Sequence, residues 1–258
     1  MAGGYRVLCV DDEEGLLEVS KLFLERSGDF AVTTAPGAPE GIRLLLQEKF
    51  DAIVSDYQMP VMDGIEFLTQ VRKQFGQIPF ILLTGKGREE IVIQALNSGA
   101  DFYLQKGGDP RAQFVELAHK VRMAIDRKRA DETLRAANEH LRLAQQLGRT
   151  GSWEMDFATG AIWGSEEAFR IFALERPPDG FLTIEEVEAR IPEQQRVRRA
   201  LTDLLEHGKD YDIEYAIRPA DGSGEKIIHS VAKILNDSQN KPFRIIGIIQ
   251  DITGRRNG

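Results

Sequence analysis

The stretch Ala52-Ile53-Val54-Ser55-Asp56-Tyr57-Gln58-Met59-Pro60-Val61-Met62-Asp63-Gly64 decides how the first half of this chain folds. An apolar run (Ala52, Ile53, Val54) stops at a carboxylate, Asp56, and a proline, a second acid and a glycine follow. A short apolar run bounded by turn residues reads as a buried parallel strand. In open α/β sheets, chemistry gathers just outside the carboxyl ends of such strands. Asp56 is expected at that end.

The same pattern extends outward. Residues 6–10, 30–34, 80–84 and 102–105 are further short apolar runs, while 16–24, 38–47, 65–75 and 89–96 carry apolar residues at three-and-four spacing. Alternating strands and helices predict parallel pairing through crossover helices. The fold expected is α/β: a five-stranded doubly wound, flavodoxin-like sheet in the order 2-1-3-4-5, with its switch point between strands 1 and 3. Strand 1 ends in Asp11 and Asp12, strand 3 in Asp56, strand 4 in Thr84-Gly85, and strand 5 leads to Lys106. A lone aspartate at a strand end is more often a cap or turn residue. Matching groups at successive strand ends need another explanation. Two unit charges a few ångströms apart at a partly shielded site repel by about 4 kcal/mol, so three clustered carboxylates require a proton or a cation. A hard divalent ion suits all-oxygen ligation, and Mg²⁺ commonly pairs one or two carboxylates with water and a phosphate. Lys106 adds fixed positive charge and Thr84 a hydroxyl donor. The set suits transfer of a phosphoryl group onto Asp56.

Composition narrows the class. A chain of 258 residues has room for one large domain or two ordinary ones, and 42% apolar residues supply real cores. The net charge of −8 argues against a nucleic-acid partner, which normally meets a basic face. The single cysteine, Cys9, lies in an apolar run and reads as a buried small hydrophobe; one cysteine permits no internal disulfide. No apolar run has the length of a membrane span and no signal-peptide pattern opens the chain, so a cytoplasmic protein without a membrane partner is expected.

Residues 5–125 resemble a response-regulator receiver domain. The likeness rests on Val10-Asp11-Asp12-Glu13, on the Asp56–Gly64 stretch, on Leu83-Thr84-Gly85, on Ala100-Asp101-Phe102-Tyr103 and on Lys106. The resemblance implies that Asp56 is the phosphoacceptor. It further implies that Asp12, Asp56 and the Gln58 backbone carbonyl bind Mg²⁺ directly and that Asp11 acts through water. Thr84 and Lys106 would contact phosphoryl oxygens, and Tyr103 would be the aromatic that turns inward when Thr84 moves. The expected partner is a histidine kinase or phosphotransfer protein. One departure stands out: the family usually has proline after the lysine, and here Gly107 and Gly108 follow Lys106. Asp109-Pro110 reads as the N-cap and first position of the next helix.

Residues 110–147 hold no glycine and no internal proline, which allows one long helix or two abutting ones. Phe114, Leu117, Val121 and Ile125 form a stripe that should pack on the sheet. Residues 122–135 carry five basic and three acidic residues, too polar for core. Leu134, Ala137, Leu141 and Ala144 then repeat at heptad-like spacing, compatible with a homodimer as well as with a solvated linker. Gly148 and Gly151 are expected to end the helix.

Beyond Gly151, a hairpin signal turning at Ala158-Thr159-Gly160 precedes helical pieces at 166–172 and 192–207 and strands at 211–218, 226–235 and 243–252. Two strands, a helical insert and three strands predict an α+β domain with an antiparallel sheet. This part resembles a PAS domain with its C-terminal portion, on Gly151-Ser152-Trp153-Glu154-Met155-Asp156, Asp221-Gly222 and Gly247-Ile248-Ile249-Gln250-Asp251-Ile252-Thr253. Such domains sense ligands, light or redox state, or mediate dimerisation. His207 and His229 are the histidines of this half and read as packed or solvated residues. Trp153, Trp163, Phe169 and Phe172 could line a pocket, but aromatics at such spacings are usually core, and no ligand is assigned. The expected division is a receiver at 1–125, a helical linker at 126–148 and a PAS domain at 149–258. The expected function is two-component phosphorelay signalling, with no enzyme domain present. The alternative is the N-terminal receiver–PAS portion of a sensor histidine kinase, since the ending Asp251-Ile252-Thr253-Gly254-Arg255-Arg256 resembles a junction into a kinase helix.

Overall fold

The computed structural model describes residues 4–85, 89–107 and 109–255; Gly108 and Arg256, which the sequence reading used, lie outside them. Two compact units divide the chain, the first ending at Arg135 and the second starting at Ala136.

The first unit alternates β1 (Tyr5–Val10), α1 (Glu14–Arg26), β2 (Phe30–Ala35), α2 (Ala38–Gln47), β3 (Ala52–Asp56), α3 (Gly64–Phe75), β4 (Phe80–Thr84), α4 (Glu89–Asn97) and β5 (Phe102–Gln105). All neighbouring strands pair in parallel, in the expected order β2-β1-β3-β4-β5. Every residue of β3 is buried, because apolar clusters cover both faces. Leu8, Ile53, Phe67 and Leu82 pack on one face; Cys9, Val54, Ile81 and Val121 pack on the other. A strand covered on both sides reads as a continuous apolar run rather than an alternating one. Cys9 is buried as expected, and burial, reinforced by the Asp11 charge, pushes its thiol up to about 12.

The turn after β3 is tightly built. Asp63 caps α3 by accepting from the Ile65 and Glu66 amides, while the Glu66 carboxylate accepts from the Asp63 amide, a reciprocal capping box. Gly64 donates its amide to the Tyr57 carbonyl. A Cβ on Gly64 would stand 2.4 Å from the Asp56 carbonyl oxygen and 2.6 Å from Leu82 Cδ1. Only glycine admits this approach.

A single helix, α5 (Pro110–Gly148), follows. Its N-terminal part buries Leu117, Val121, Ala124 and Ile125 against the first unit's sheet, with Phe114 half-buried beside them. Arg122 pairs with Asp29, and Arg129 reaches Asp51 at 3.2 Å while stacking over the Tyr5 ring. Farther along, Leu134 and Leu141 are exposed.

The second unit adds β6 (Thr150–Asp156), β7 (Ile162–Gly164), α6 (Glu166–Phe172), β8 (Phe181–Leu182), α7 (Ile184–Glu188), α8 (Gln194–His207), β9 (Tyr211–Ile217), β10 (Lys226–Asn236) and β11 (Pro242–Asp251), with a closing 3₁₀ turn at Thr253–Arg255. Its sheet is antiparallel in the order β8-β7-β6-β11-β10-β9. It therefore has six strands where the sequence pattern suggested five. β8 and α7 are two and five residues long, too short to carry a period. Gly148 closes α5, but Gly151 does not help to end it: it lies inside β6, where a Cβ would meet Ala168 backbone atoms at 2.6 Å. The chain leaves the helix through Arg149, whose φ is +48°.

Gly64→Ala should cost about 3 kcal/mol, since backbone and Leu82 must both move. Gly15→Ala, in open space at the start of α1, should be neutral or stabilising by up to about 1 kcal/mol. Urea unfolding of the two variants checks this; equal stabilities would contradict the packing described.

Candidate functional site

β1 and β3 are neighbours, with Val10 in register with Ser55, so the residues after them share one crevice. Asp11, Asp12 and Asp56 each offer a carboxylate oxygen, and these oxygens all lie within 4.8 Å of one another. Asp11 and Asp56 are buried, whereas Asp12 faces solvent. Lys106 Nζ stands 2.9 Å from Asp11 Oδ2 and 2.5 Å from Asp56 Oδ1. The Gln58 amide donates to Asp56 Oδ2 at 2.8 Å, and the Glu13 amide donates to Asp11 Oδ1 at 2.9 Å. Both buried carboxylates are thus held at each oxygen.

The charge balance is unequal: three carboxylates face one ammonium. Burial raises the Asp56 pKa, the hydrogen bond and charge of Lys106 oppose that, and the Asp11 charge adds to it, leaving the carboxyl above its ordinary range. Burial pulls Lys106 down, but its hydrogen bonds to Asp56 and Asp11 and their charges outweigh this and raise it. The ammonium is therefore retained, and the crevice still favours more positive charge. An all-oxygen donor set with one solvent-facing member fits a hard divalent cation.

Thr84 is buried at the end of β4, one residue past Leu83, the register partner of Asp56. Its hydroxyl donates to the Gly85 carbonyl at 3.0 Å, and its own carbonyl accepts from the Lys106 amide at 2.6 Å. Tyr103, on β5, is 41% exposed. Two roles were not legible in the sequence. Gly64 fixes the backbone of Asp56 by close approach. Gln113, on α5, accepts the Gly107 amide at 3.3 Å through Oε1 and so holds the loop behind Lys106. Gly107 has φ +124°, a conformation a side chain would strain; the glycine itself was the available signal.

The second unit holds a partly open pocket of about 440 Å³, lined by residues of β6–β9, β11 and α6, α7 and α8. Phe169 and Phe172 are buried core residues, as expected, and with Trp153 they also line this space; Trp163 is not among the lining residues. His207 pairs with Asp203 and His229 with Asp212, both away from the lining.

Comparison with known proteins agrees with this architecture. Residues 7–118 match the response regulator receiver domain family, and residues 187–249 match the PAS fold. The response regulator Rre1 of Synechocystis is 37% identical over 132 residues, which cover 50% of this chain and 55% of that protein. The transcriptional regulatory protein SrrA of Staphylococcus aureus is 33% identical over 136 residues, 53% of this chain and 54% of its own. The chain thus spans about half the length of these relatives. A response regulator receiver domain protein from Clostridium thermocellum is 30% identical, covering 49% of this chain and 98% of its own with a TM-score of 0.45. This chain therefore carries a response regulator receiver domain followed in sequence by a PAS fold.

Proposed function

We propose that the chain is a two-component phosphorelay protein whose receiver, at 1–125, takes a phosphoryl group on Asp56. The observation that carries the reading is the Lys106 ammonium shared by Asp11 and Asp56 beside the open carboxylate of Asp12. The donor would be a phosphohistidine on a histidine kinase or phosphotransfer protein. An Asp56 carboxylate oxygen attacks phosphorus, the phosphorus–nitrogen bond breaks, and the departing imidazole nitrogen keeps the electron pair. Lys106 shifts from the carboxylate to a phosphoryl oxygen, and the Thr84 hydroxyl turns from Gly85 to another. Asp12, Asp56 and the Gln58 carbonyl would hold Mg²⁺, with Asp11 acting through water; the ion supplies charge neutralisation as the anionic group arrives. The displaced Thr84 leaves room for Tyr103 to turn inward, a two-state change that the added charge biases.

The helical linker at 126–148 would carry that change to a PAS sensor domain at 149–258. Its exposed Leu134 and Leu141, spaced one heptad apart with Ala137 and Ala144 between and after them, suit a homodimer. Among the described residues no helix is long and apolar enough to cross a membrane, and a cytoplasmic setting belongs to this reading.

Incubation with acetyl phosphate and Mg²⁺, read by intact mass, should add one phosphoryl group to the wild type and none to Asp56→Asn. Lys106→Ala should slow labelling by about 100-fold. An adduct retained in Asp56→Asn would sink the assignment.

The raised pKa of Asp56 also sets a stability window. The metal-free native state holds that proton to higher pH than the unfolded chain, so stability falls as pH rises from about 3.9, the unfolded value. In chelator at neutral pH, Asp56→Asn should unfold later than wild type, with the difference vanishing below the ordinary carboxylate range. Mg²⁺ should raise the wild-type midpoint more than that of the variant. An Asn variant less stable at every pH would contradict this charge balance.

A further inference from the structure

We propose that Gln113 is a positioning residue for Lys106: from the first turn of α5 its carboxamide stiffens the glycine loop behind the lysine, and so sets how fast Asp56 accepts a phosphoryl group. The inference deepens the function proposed above and rests on that reading for its rate measurement.

The need for such a residue follows from the loop itself. Lys106 is followed by Gly107 and Gly108, and glycine gives up more backbone freedom on ordering than any other residue. Proline at position 107 could not supply the stiffness in this conformation: its ring holds φ near about −65°, whereas Gly107 has φ +124°. The Gly107 amide instead donates to Gln113 Oε1 at 3.3 Å. That acceptor stands on a firm base. Asp109 caps this end of α5: its Oδ1 accepts from the Arg111 amide at 3.2 Å, and its carbonyl accepts from the Gln113 amide at 3.1 Å. One residue on, Phe114 stacks on Phe23 of α1 with ring centroids 4.7 Å apart, and Leu117 is buried a turn later. Gln113 is thus carried by a fixed helix turn, while the loop it holds has no stiffness of its own.

One loop bond matters because of what the lysine gives up. In the resting site the Lys106 ammonium is held by Asp11 Oδ2 and Asp56 Oδ1, and its backbone amide donates to the Thr84 carbonyl at 2.6 Å. On transfer, the contact with the Asp56 oxygen passes to a phosphoryl oxygen. A side-chain anchor is lost at the step where placement counts most. Two backbone anchors remain, Thr84 at the lysine's own amide and Gln113 at the next one. A charge stabiliser works only where the moving oxygens arrive, and small displacements slow the reaction. A neutral hydrogen bond of ordinary strength changes an equilibrium by about fivefold, which sets the size of the effect.

The test uses the full chain, with acetyl phosphate and Mg²⁺ as the probe and intact mass against time as the readout. Gln113→Met keeps the length and helix propensity of the side chain but loses its oxygen acceptor. It should label Asp56 about three- to fivefold more slowly than the wild type. Its Mg²⁺ affinity by calorimetry should stay at the wild-type value, because the resting ammonium keeps both carboxylates. Gln113→Glu returns an acceptor oxygen to a helix turn that favours acids, and should recover most of the rate. In a Lys106→Ala background, Gln113→Met should add no further slowing, since the two residues act as one unit. Cooperative urea unfolding shows which variants are folded, and Gln113→Ala serves if the methionine variant is not. A wild-type rate without the acceptor, slowing that glutamate does not repair, or equal slowing with and without Lys106 would each overturn the inference. A changed Mg²⁺ affinity would do so too, by showing a general loosening of the crevice. Any of these results beside a wild type that labels leaves the phosphorelay reading in place; a wild type that takes no label removes that reading and this inference with it.

Discussion

Asp11 and Asp56 are buried at the ends of adjacent strands, and both lean on the same lysine ammonium. Parallel pairing in the order β2-β1-β3-β4-β5 puts these ends side by side and leaves no way to separate the charges. Burial alone would favour neutral carboxyls; Lys106 on one oxygen of Asp56 and a backbone amide on the other favour the ionised form. Asp12, open to solvent, leaves a side from which a cation and a phosphate can approach. The surrounding structure serves this arrangement. Gly64 lets α3 close on the Asp56 carbonyl, the Asp63 capping box fixes the start of that helix, and Gln113 holds the turn behind Lys106.

Much of this was legible because the first unit obeys strong periodic rules. A strand buried on both faces must be apolar throughout, and crossover helices must show a three-and-four stripe; the boundaries of β4, β5 and α2 fall where those patterns place them. The acids were found because strand ends in such a sheet are where side chains meet. Hydrogen bonds set by loop geometry were not legible. Nothing in the spacing of Gln113 announces that its side chain serves Gly107.

The second unit was harder to read for a physical reason. Its helices are short, its sheet mixes half-buried with exposed positions, and β8 and α7 are below the length at which any period can register. The aromatic residues Trp153, Phe169 and Phe172 look the same in sequence whether they meet each other or surround a space. Volume is a property of the assembled wall. The same holds for Glu188 and Arg198, ten positions apart across a turn, which pair with each other beside that space.

Helix α5 belongs to both units along the chain. Its first half is fixed by apolar burial and by arginines gripping Asp29 and Asp51. Its last turn is tied by polar contacts, Gln145 to the Ser152 hydroxyl and Gln250 to the Gly148 carbonyl.

The central claim is that one ammonium and one divalent ion divide the neutralisation of three carboxylates. The most direct test is Mg²⁺ affinity by calorimetry, comparing wild type with Lys106→Met. With the competing ammonium gone and two buried carboxylates left without a counter-charge, the variant should bind the ion at least about tenfold more tightly, the full ~4 kcal/mol of one partly shielded charge corresponding to nearly a thousandfold. Unchanged or weaker binding in the variant would show that lysine and metal do not share the site, and the account would fail.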